Sequence, residues 1–197
     1  MYDLDAVKNN YRELLELHGS GPAVGQWSEE GQRFRFQKLT EIADLGGSRI
    51  LEIGCGIGDF YPFIVERFGS VAYTGVDIVP ELIEQASKNH ATASFKCADI
   101  LKEELSDRFD YVFISGVFNN AFSGVNNFLF DMISAAYGYC NKGLAFNFTS
   151  SYVNHTDPEM AYHDPVDVFR HCLEKLSRKV TVHHHYERCD VAVYVHR

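Results

Sequence analysis

The sequence predicts an α/β protein whose core is a doubly wound, mostly parallel sheet of seven strands with an antiparallel last strand. Three observations support this: apolar runs typical of buried strands, helical patterns between these runs, and turn or acidic residues where a strand ends. The clearest example is the segment 50–60, in which 50–53 reads as a buried strand. Three glycines then form a turn that opens a helix and leaves room for a ligand: Gly54, Gly56 and Gly58.

Composition favours a single domain spanning 1–197, with a Rossmann-like core at 48–197 and a helical extension at 1–47. The chain carries 27 acidic and 18 basic residues, a net charge of −9, which disfavours nucleic-acid and membrane partners. No apolar run approaches the roughly 20 residues that cross a bilayer, and the start lacks the basic residues of a signal peptide. These features predict a cytoplasmic protein. Five scattered cysteines without a C-x-x-C pair predict reduced thiols rather than disulfides or zinc.

The extension at 1–47 reads as two helices, one over about 4–17 and one beginning near Ser28. The glycine-rich linker between them contains Trp27, the only tryptophan of the chain. Its ring has two open interpretations: a plug that fastens the linker to the core, or part of a lid over a bound cofactor.

Three strands follow the first, and each ends in a polar or small residue. The strand 71–77 ends at Asp77, the strand 93–97 is followed by Asp99, and the strand 109–115 leads into Ser115 and Gly116. In a parallel sheet these ends meet at one edge beside the glycine turn. There the Asp77 carboxylate can accept two hydrogen bonds from a ribose diol.

Acidic residues flank the glycine turn and limit its ligand. Glu52 precedes the first glycine, and Asp59 stands where the dinucleotide fingerprint G-x-G-x-x-G has its third glycine. A pyrophosphate would be repelled by these acids, whereas a ligand with an ammonium and a sulfonium would be attracted by about 1 to 4 kcal/mol for each close pair. The turn therefore favours a cationic ligand.

The pattern acid-x-Gly-x-Gly-x-Gly at 52–58, with the later strand-end acids, resembles the first motif of class I S-adenosylmethionine-dependent methyltransferases of the bacterial small-molecule type. The resemblance extends from about residue 48 to the C-terminus and implies S-adenosylmethionine as cofactor and S-adenosylhomocysteine as product. It implies that Asp99 reads the adenine amine, that Ile100 packs on the ring, and that Arg35 clamps the methionine carboxylate, although Arg35 also fits a solvated helix position. The cofactor-binding residues expected are Glu52, Gly54, Cys55, Gly56, Gly58, Asp77, Ile78, Asp99, Ile100, Ser115, Gly116, Trp27 and Arg35.

The remaining elements complete the predicted sheet. They are a helix at 126–140, a strand at 143–149, a long polar and aromatic loop at 150–163, a helix at 165–176, and a closing hairpin formed by 179–186 and 191–195. With helices between the first six strands, this order suits a doubly wound sheet. The histidine triplet 183–185 puts at most two imidazoles on one face of a strand, so we predict no metal site.

These features predict O- or N-methylation of a small organic acceptor by in-line displacement. Candidate acceptor-side groups follow strand four (Asn119 and Asn120) or lie in the loop 150–163, where His155 is the expected base and Tyr152 its neighbour. The segment 115–118 lacks the Asn/Asp-Pro-Pro-aromatic tetrapeptide typical of methyltransferases that act on base amines. Two alternatives stay open: a catalytically silent module that binds the cofactor and serves a protein partner, and an NAD-linked oxidoreductase.

Overall fold

The computed structural model describes residue 2, residues 4–184 and residues 189–197. Its helices and strands alternate as the sequence predicts. The helices are α1 (Asp5–His18), α2 (Glu29–Thr40), α3 (Phe60–Phe68), α4 (Pro80–Asn89), α5 (Val125–Tyr139) and α6 (Pro165–His171). The strands are β1 (Arg49–Ile53), β2 (Ala72–Asp77), β3 (Ser94–Cys97), β4 (Phe109–Ile114), β5 (Cys140–Thr149), β6 (Val180–His183) and β7 (Asp190–His196).

The strands form one sheet in the order β3-β2-β1-β4-β5-β7-β6. Strands β1 to β5 pair in parallel, whereas β7 is antiparallel to both β5 and β6. The predicted doubly wound sheet with an antiparallel last strand is therefore confirmed. The strand order reverses between β1 and β4, so a crevice opens at the carboxyl ends of these strands, where α/β proteins bind ligands.

One connection differs from the prediction, because no helix lies between β3 and β4. Residues 98–108 form turns, and the Asp99 carbonyl accepts hydrogen bonds from the amides of Lys102 and Glu103 at 2.9 and 2.8 Å. The Asp99 carboxylate also accepts from the Leu101 amide at 3.1 Å, a local side-chain bond that favours a turn over a helix. The predicted helix 165–176 is present as α6 followed by a π-helical turn at Cys172–Leu176. His185 and most of the predicted turn of the closing hairpin lie outside the described residues.

The N-terminal extension folds as two helices, as predicted. The first ends at Gly19, whose φ of 68° suits glycine, and the Ser28 side chain caps α2 by accepting a hydrogen bond from the Gly31 amide at 3.1 Å. Helix α2 packs on the sheet through Phe36 and Leu39, both buried. Among the described residues, no helix is long and apolar enough to cross a membrane.

Candidate functional site

The glycine turn after β1 has a backbone that side chains would disturb. Gly54 has a φ of 74°, and a Cβ on it would collide with the Val117 side chain. The amides of Gly54 and Cys55 both donate to the Val76 carbonyl, at 2.8 and 3.0 Å, which fastens the turn to β2. Gly56 has a φ of 55° and open space where its Cβ would stand. The turn is thus fixed on the sheet side and open on the other.

Asp77, at the end of β2, links that strand to the turn. Its carboxylate accepts hydrogen bonds from the amides of Gly56 and Val79 at 2.9 and 3.0 Å. The side chain is buried, and burial raises the pKa of this carboxyl although the backbone donors act in the opposite direction. A ligand that approaches the turn therefore meets the Asp77 carboxylate, which two backbone amides already hold in one orientation.

A cavity of about 960 Å³, including its open mouth, lies over this edge of the sheet. Helix α1, the linker before α2, the glycine turn and the ends of β2 and β4 form its walls. Nine of the residues expected at the cofactor line it: Trp27, Glu52, Gly54, Cys55, Gly56, Asp77, Ile78, Ser115 and Gly116. The wall opposite the sheet belongs to the predicted helical extension and includes Leu4, Val7, Tyr11 and Val24, none of which was identified individually from the sequence.

Three carboxylates line this cavity: Glu52, Asp59 and Asp77. Glu52 is 3% exposed and accepts a hydrogen bond from the Tyr73 hydroxyl. Burial raises the pKa of Glu52 well above its ordinary value, and the neighbouring Asp59 and Asp77 raise it further. A cation in the cavity would relieve this repulsion, so the lining fits a ligand that bears an ammonium and a sulfonium.

Comparisons with known proteins identify a domain in this part of the chain. A family model described as "Methyltransferase domain" matches residues 50–137, which hold the glycine turn and the strand-end acids. The chain carries a methyltransferase domain with the class I, S-adenosylmethionine-dependent fold.

Similarity to individual proteins is distant. One relative is the protein Rv1506c of Mycobacterium tuberculosis, itself named a methyltransferase only provisionally. The two sequences are 28% identical over 160 residues, and the match covers 75% of this chain and 92% of Rv1506c. The malonyl-[acyl-carrier protein] O-methyltransferase of Acetivibrio thermocellus is 31% identical over 113 residues, 54% of this chain and 40% of its own. The solved structure of the magnesium protoporphyrin IX methyltransferase of Synechocystis PCC 6803 with bound S-adenosylhomocysteine has the same fold, with a TM-score of 0.69. The two sequences are 14% identical, and the match covers 98% of this chain and 95% of that protein.

Trp27 of the methyltransferase lies between the cavity and a buried ion pair. Its indole packs on Gly116, and the Arg35 guanidinium stacks on its ring at 3.7 Å from the centroid. Arg35 also donates to the Gly31 carbonyl at 3.0 Å and forms an ion pair with Asp190 at 2.6 Å. The clamp predicted at Arg35 is therefore bound to Asp190 behind Trp27 and does not line the cavity. Asp190 was not identified from the sequence.

Asp99 and Ile100 also lie off the cavity lining. The Asp99 carboxylate accepts from the Leu101 amide at 3.1 Å and pairs with Lys102 at 2.9 Å. Ile100 is buried in the core cluster against which Ile78, a lining residue, also packs. The turn that holds both residues starts beside the cavity residue Asp77, whose carbonyl accepts from the Ala98 amide at 2.9 Å, and Gly58 likewise lies beyond the lining.

The loop 150–163 runs alongside the segment that follows β4. The Ala161 amide donates to the Asn119 carbonyl at 2.8 Å, and the Ala121 amide donates to the Glu159 carbonyl at 2.9 Å. Tyr152 and His155 are exposed in this loop and do not line the cavity.

Two other aromatic residues near the loop have buried polar contacts. His163 at the end of the loop is buried against the Phe118 carbonyl, 3.0 Å from its Nε2, and burial lowers the pKa of its imidazole. Tyr11 of α1 lines the cavity, and its hydroxyl accepts a hydrogen bond from Asn120 at 3.1 Å.

Helix α1, which forms the outer wall, contains no buried residue. Its contacts with the core include the Arg12–Glu81 ion pair at 2.9 Å and the Tyr11–Asn120 hydrogen bond. Just before the helix, the Tyr2 hydroxyl donates to Asp131 at 2.6 Å. Val7, Tyr11 and Leu15 of the helix also pack, partly buried, on the hydrophobic core, so polar and apolar contacts together hold this wall in position.

The raised pKa of Glu52 predicts how stability depends on pH. A carboxyl whose folded-state pKa lies above its unfolded value favours folding below that unfolded value, about 4.3, and loses this stability as pH rises through the folded-state pKa. We expect the free energy of unfolding of the wild type to fall as the pH rises above about 4.3 towards the folded-state pKa, and the variant Glu52→Gln to show a smaller fall. Urea unfolding at a series of pH values measures this free energy for both proteins. Glu16→Gln, at an exposed position, is the control and keeps the wild-type profile. Equal slopes in the wild type and Glu52→Gln would refute the role of this carboxyl.

Proposed function

We propose that this methyltransferase transfers a methyl group to an oxygen or nitrogen of a small organic acceptor. The observation that carries the proposal is the wall that α1 and the Trp27 linker build over the sheet edge, because it leaves a cavity of limited size lined by apolar and aromatic side chains. The net charge of −9 argues against an acceptor within a nucleic acid. Two of the similar proteins are named for malonyl-[acyl-carrier protein] and for magnesium protoporphyrin IX, which agrees with a metabolite acceptor.

In this proposal the cavity residues orient the donor and exclude water. Bound S-adenosylmethionine supplies an activated methyl group, whose bond to sulfur breaks with its electron pair as the bond to the acceptor forms. Asp77 receives the ribose hydroxyls, and Glu52 with Asp59 favours the ammonium. Asp99 and Ile100 contact the adenine once the β3–β4 turn adjusts to the ligand.

Calorimetric titration with S-adenosylmethionine, S-adenosylhomocysteine and NAD tests the donor part of the proposal. We expect the two adenosyl-sulfur ligands to bind and NAD to leave the baseline unchanged. Binding of NAD alone would favour the oxidoreductase alternative. A turnover screen over phenols, amines, carboxylates and thiols, which measures S-adenosylhomocysteine release, then identifies the acceptor atom. A ribosomal RNA fragment is tested beside the screen, and turnover only with thiols or with this RNA would refute the proposed acceptor class.

We further propose that the loop 150–163 carries the acceptor-side base, His155, with Tyr152 beside it. A hydroxyl or ammonium acceptor must lose a proton, and a histidine imidazole is the side chain that most often accepts a proton in such a step. We expect His155→Ala to lower kcat by about 10²- to 10³-fold and Tyr152→Phe by less than about tenfold. The measurement is turnover at saturating acceptor, with His18→Ala at an exposed position as control. If His155→Ala keeps the wild-type kcat, the base lies elsewhere.

A further inference from the structure

Two buried asparagine side chains beside the cavity have amide groups without a partner. Asn119 follows β4 and is 5% exposed, and Asn147 lies on β5 and is 2% exposed. Among the described residues, neither Nδ2 atom has a hydrogen-bond partner. Buried polar groups in proteins are almost always hydrogen-bonded, so two unpaired donors in one region require an explanation.

The orientation of Asn147 is determined by its neighbour. Its Oδ1 accepts a hydrogen bond from the Gly116 amide at 2.8 Å, and a backbone N–H can only donate. The Nδ2 of Asn147 is therefore the free end of the side chain. Gly116 itself lines the cavity and packs on Trp27, so Asn147 is joined directly to the sheet-edge wall of the cavity.

Asn119 belongs to the same group through Thr149. Residues 147 and 149 lie two apart on β5 and present their side chains on one face. The Thr149 hydroxyl donates to the Oδ1 of Asn119 at 3.2 Å. The two amides thus come from neighbouring strand ends and belong to one polar cluster, joined through residues 147 and 149 of β5.

The charged side chains described next to this cluster, Asp190 and Arg35, already form an ion pair with each other, which favours an uncharged ligand. Asp190 pairs with Thr149 across the sheet, and its carboxylate is already matched by Arg35 at 2.6 Å. Burying an ionised carboxylate requires a compensating cation, whereas a neutral carbonyl oxygen needs only hydrogen-bond donors. Two neutral amide donors therefore suit a carbonyl group of an amide, ketone or ester.

We propose, on the basis of the methyl-transfer function above, that Asn119 and Asn147 bind the acceptor by donating hydrogen bonds to an uncharged carbonyl oxygen. They hold this oxygen next to Gly116, at the sheet-edge end of the donor cavity. Both residues are thereby specificity determinants for the acceptor and leave donor binding unaffected.

The variants Asn147→Asp and Asn119→Asp test this role. Each keeps the shape of the side chain and, in Asn147→Asp, the oxygen that accepts from Gly116, but each loses the amide donor. Asn127→Asp makes the same chemical change at an exposed position on α5 and is the matched control. S-adenosylhomocysteine should bind all three variants with wild-type affinity.

Three probes separate the possible ligands: salicylamide, salicylate and phenol, which share a hydroxyl-bearing ring and differ only in the adjacent group. Binding is followed by ¹⁵N NMR of the side-chain amides, assigned by the signals missing from each variant, in the presence of S-adenosylhomocysteine. We expect salicylamide to shift both amide signals and to bind at least about tenfold more tightly than the other two probes. We expect each Asp variant to weaken salicylamide binding by about tenfold or more, and Asn127→Asp to leave it unchanged.

Equal or tighter binding of salicylate or phenol would overturn the proposal, as would amide signals that no probe shifts. If one Asp variant fails to fold, the wild-type titration and the other variant still decide the question. The proposed function is tested separately. It predicts S-adenosylhomocysteine binding and methyl transfer, and both are measured without these three probes.

Discussion

Replacing Asp190 with alanine is expected to lower the free energy of unfolding by about 3 to 5 kcal/mol. Asp190 is almost fully buried, and the Arg35 guanidinium that it pairs with is largely buried too. Removal of one member leaves the other charge in a region of low polarity, which is the costly case for a buried ion pair. The loss of Asp190 also releases the cation that stacks on Trp27.

The measurement is urea unfolding followed by circular dichroism. Asp167→Ala is the matched control, because Asp167 pairs with Arg170 at 2.7 Å, nearly the same distance, but both side chains are more than half exposed. We expect this control to change stability by less than about 1 kcal/mol. Similar losses in the two variants would mean that burial does not decide the strength of the Arg35–Asp190 pair.

Replacing Asp77 with alanine is expected to weaken S-adenosylhomocysteine binding by about 10- to 150-fold, or about 1.5 to 3 kcal/mol. The Asp77 carboxylate lines the cavity at the end of β2, where charge-assisted hydrogen bonds to a ribose diol would be lost. Asp77 also accepts from the Gly56 amide, so part of the effect could arise from a disturbed glycine turn.

Asp77→Asn removes the charge but keeps one oxygen, which can still accept from the Gly56 amide, while the hydrogen bond from the Val79 amide is lost. We expect its affinity to fall between those of the wild type and Asp77→Ala in isothermal titration calorimetry. Asp167→Ala serves again as the control and should bind like the wild type. An unchanged affinity in Asp77→Ala would refute the assignment of this residue to the donor.

Much of the fold and the donor side of the cavity could be predicted because the signals are local. The glycine turn follows β1 directly, and Asp77 stands at the end of its own strand, so short segments contained the information. The expectation of a helix between β3 and β4 was wrong because it followed the alternation of strands and helices, whereas the Asp99 side chain bonds the Leu101 amide and favours a turn there.

The contacts that the sequence did not reveal depend on which strands become neighbours. Tyr73 reaches Glu52 because β1 pairs with β2, and Asp190 reaches Arg35 because β7 inserts beside β5. Arg35 was expected at the cofactor carboxylate, since nothing local to it indicates a carboxylate near the far end of the chain. Long-range register, rather than residue type, determines these partners.

Helix α1 has a consequence for how ligands enter and leave the cavity. Helix α1 itself contains no buried residue, and its contacts with the core combine partly buried side chains such as Val7 and Leu15 with the exposed ion pair Arg12–Glu81, which contributes at most about 1 kcal/mol. Detaching α1 therefore requires less free energy than disrupting the central strands β1 and β5, whose residues are mostly buried. Substitutions on α1 are therefore expected to change ligand exchange at the cavity more than they change the stability of the sheet.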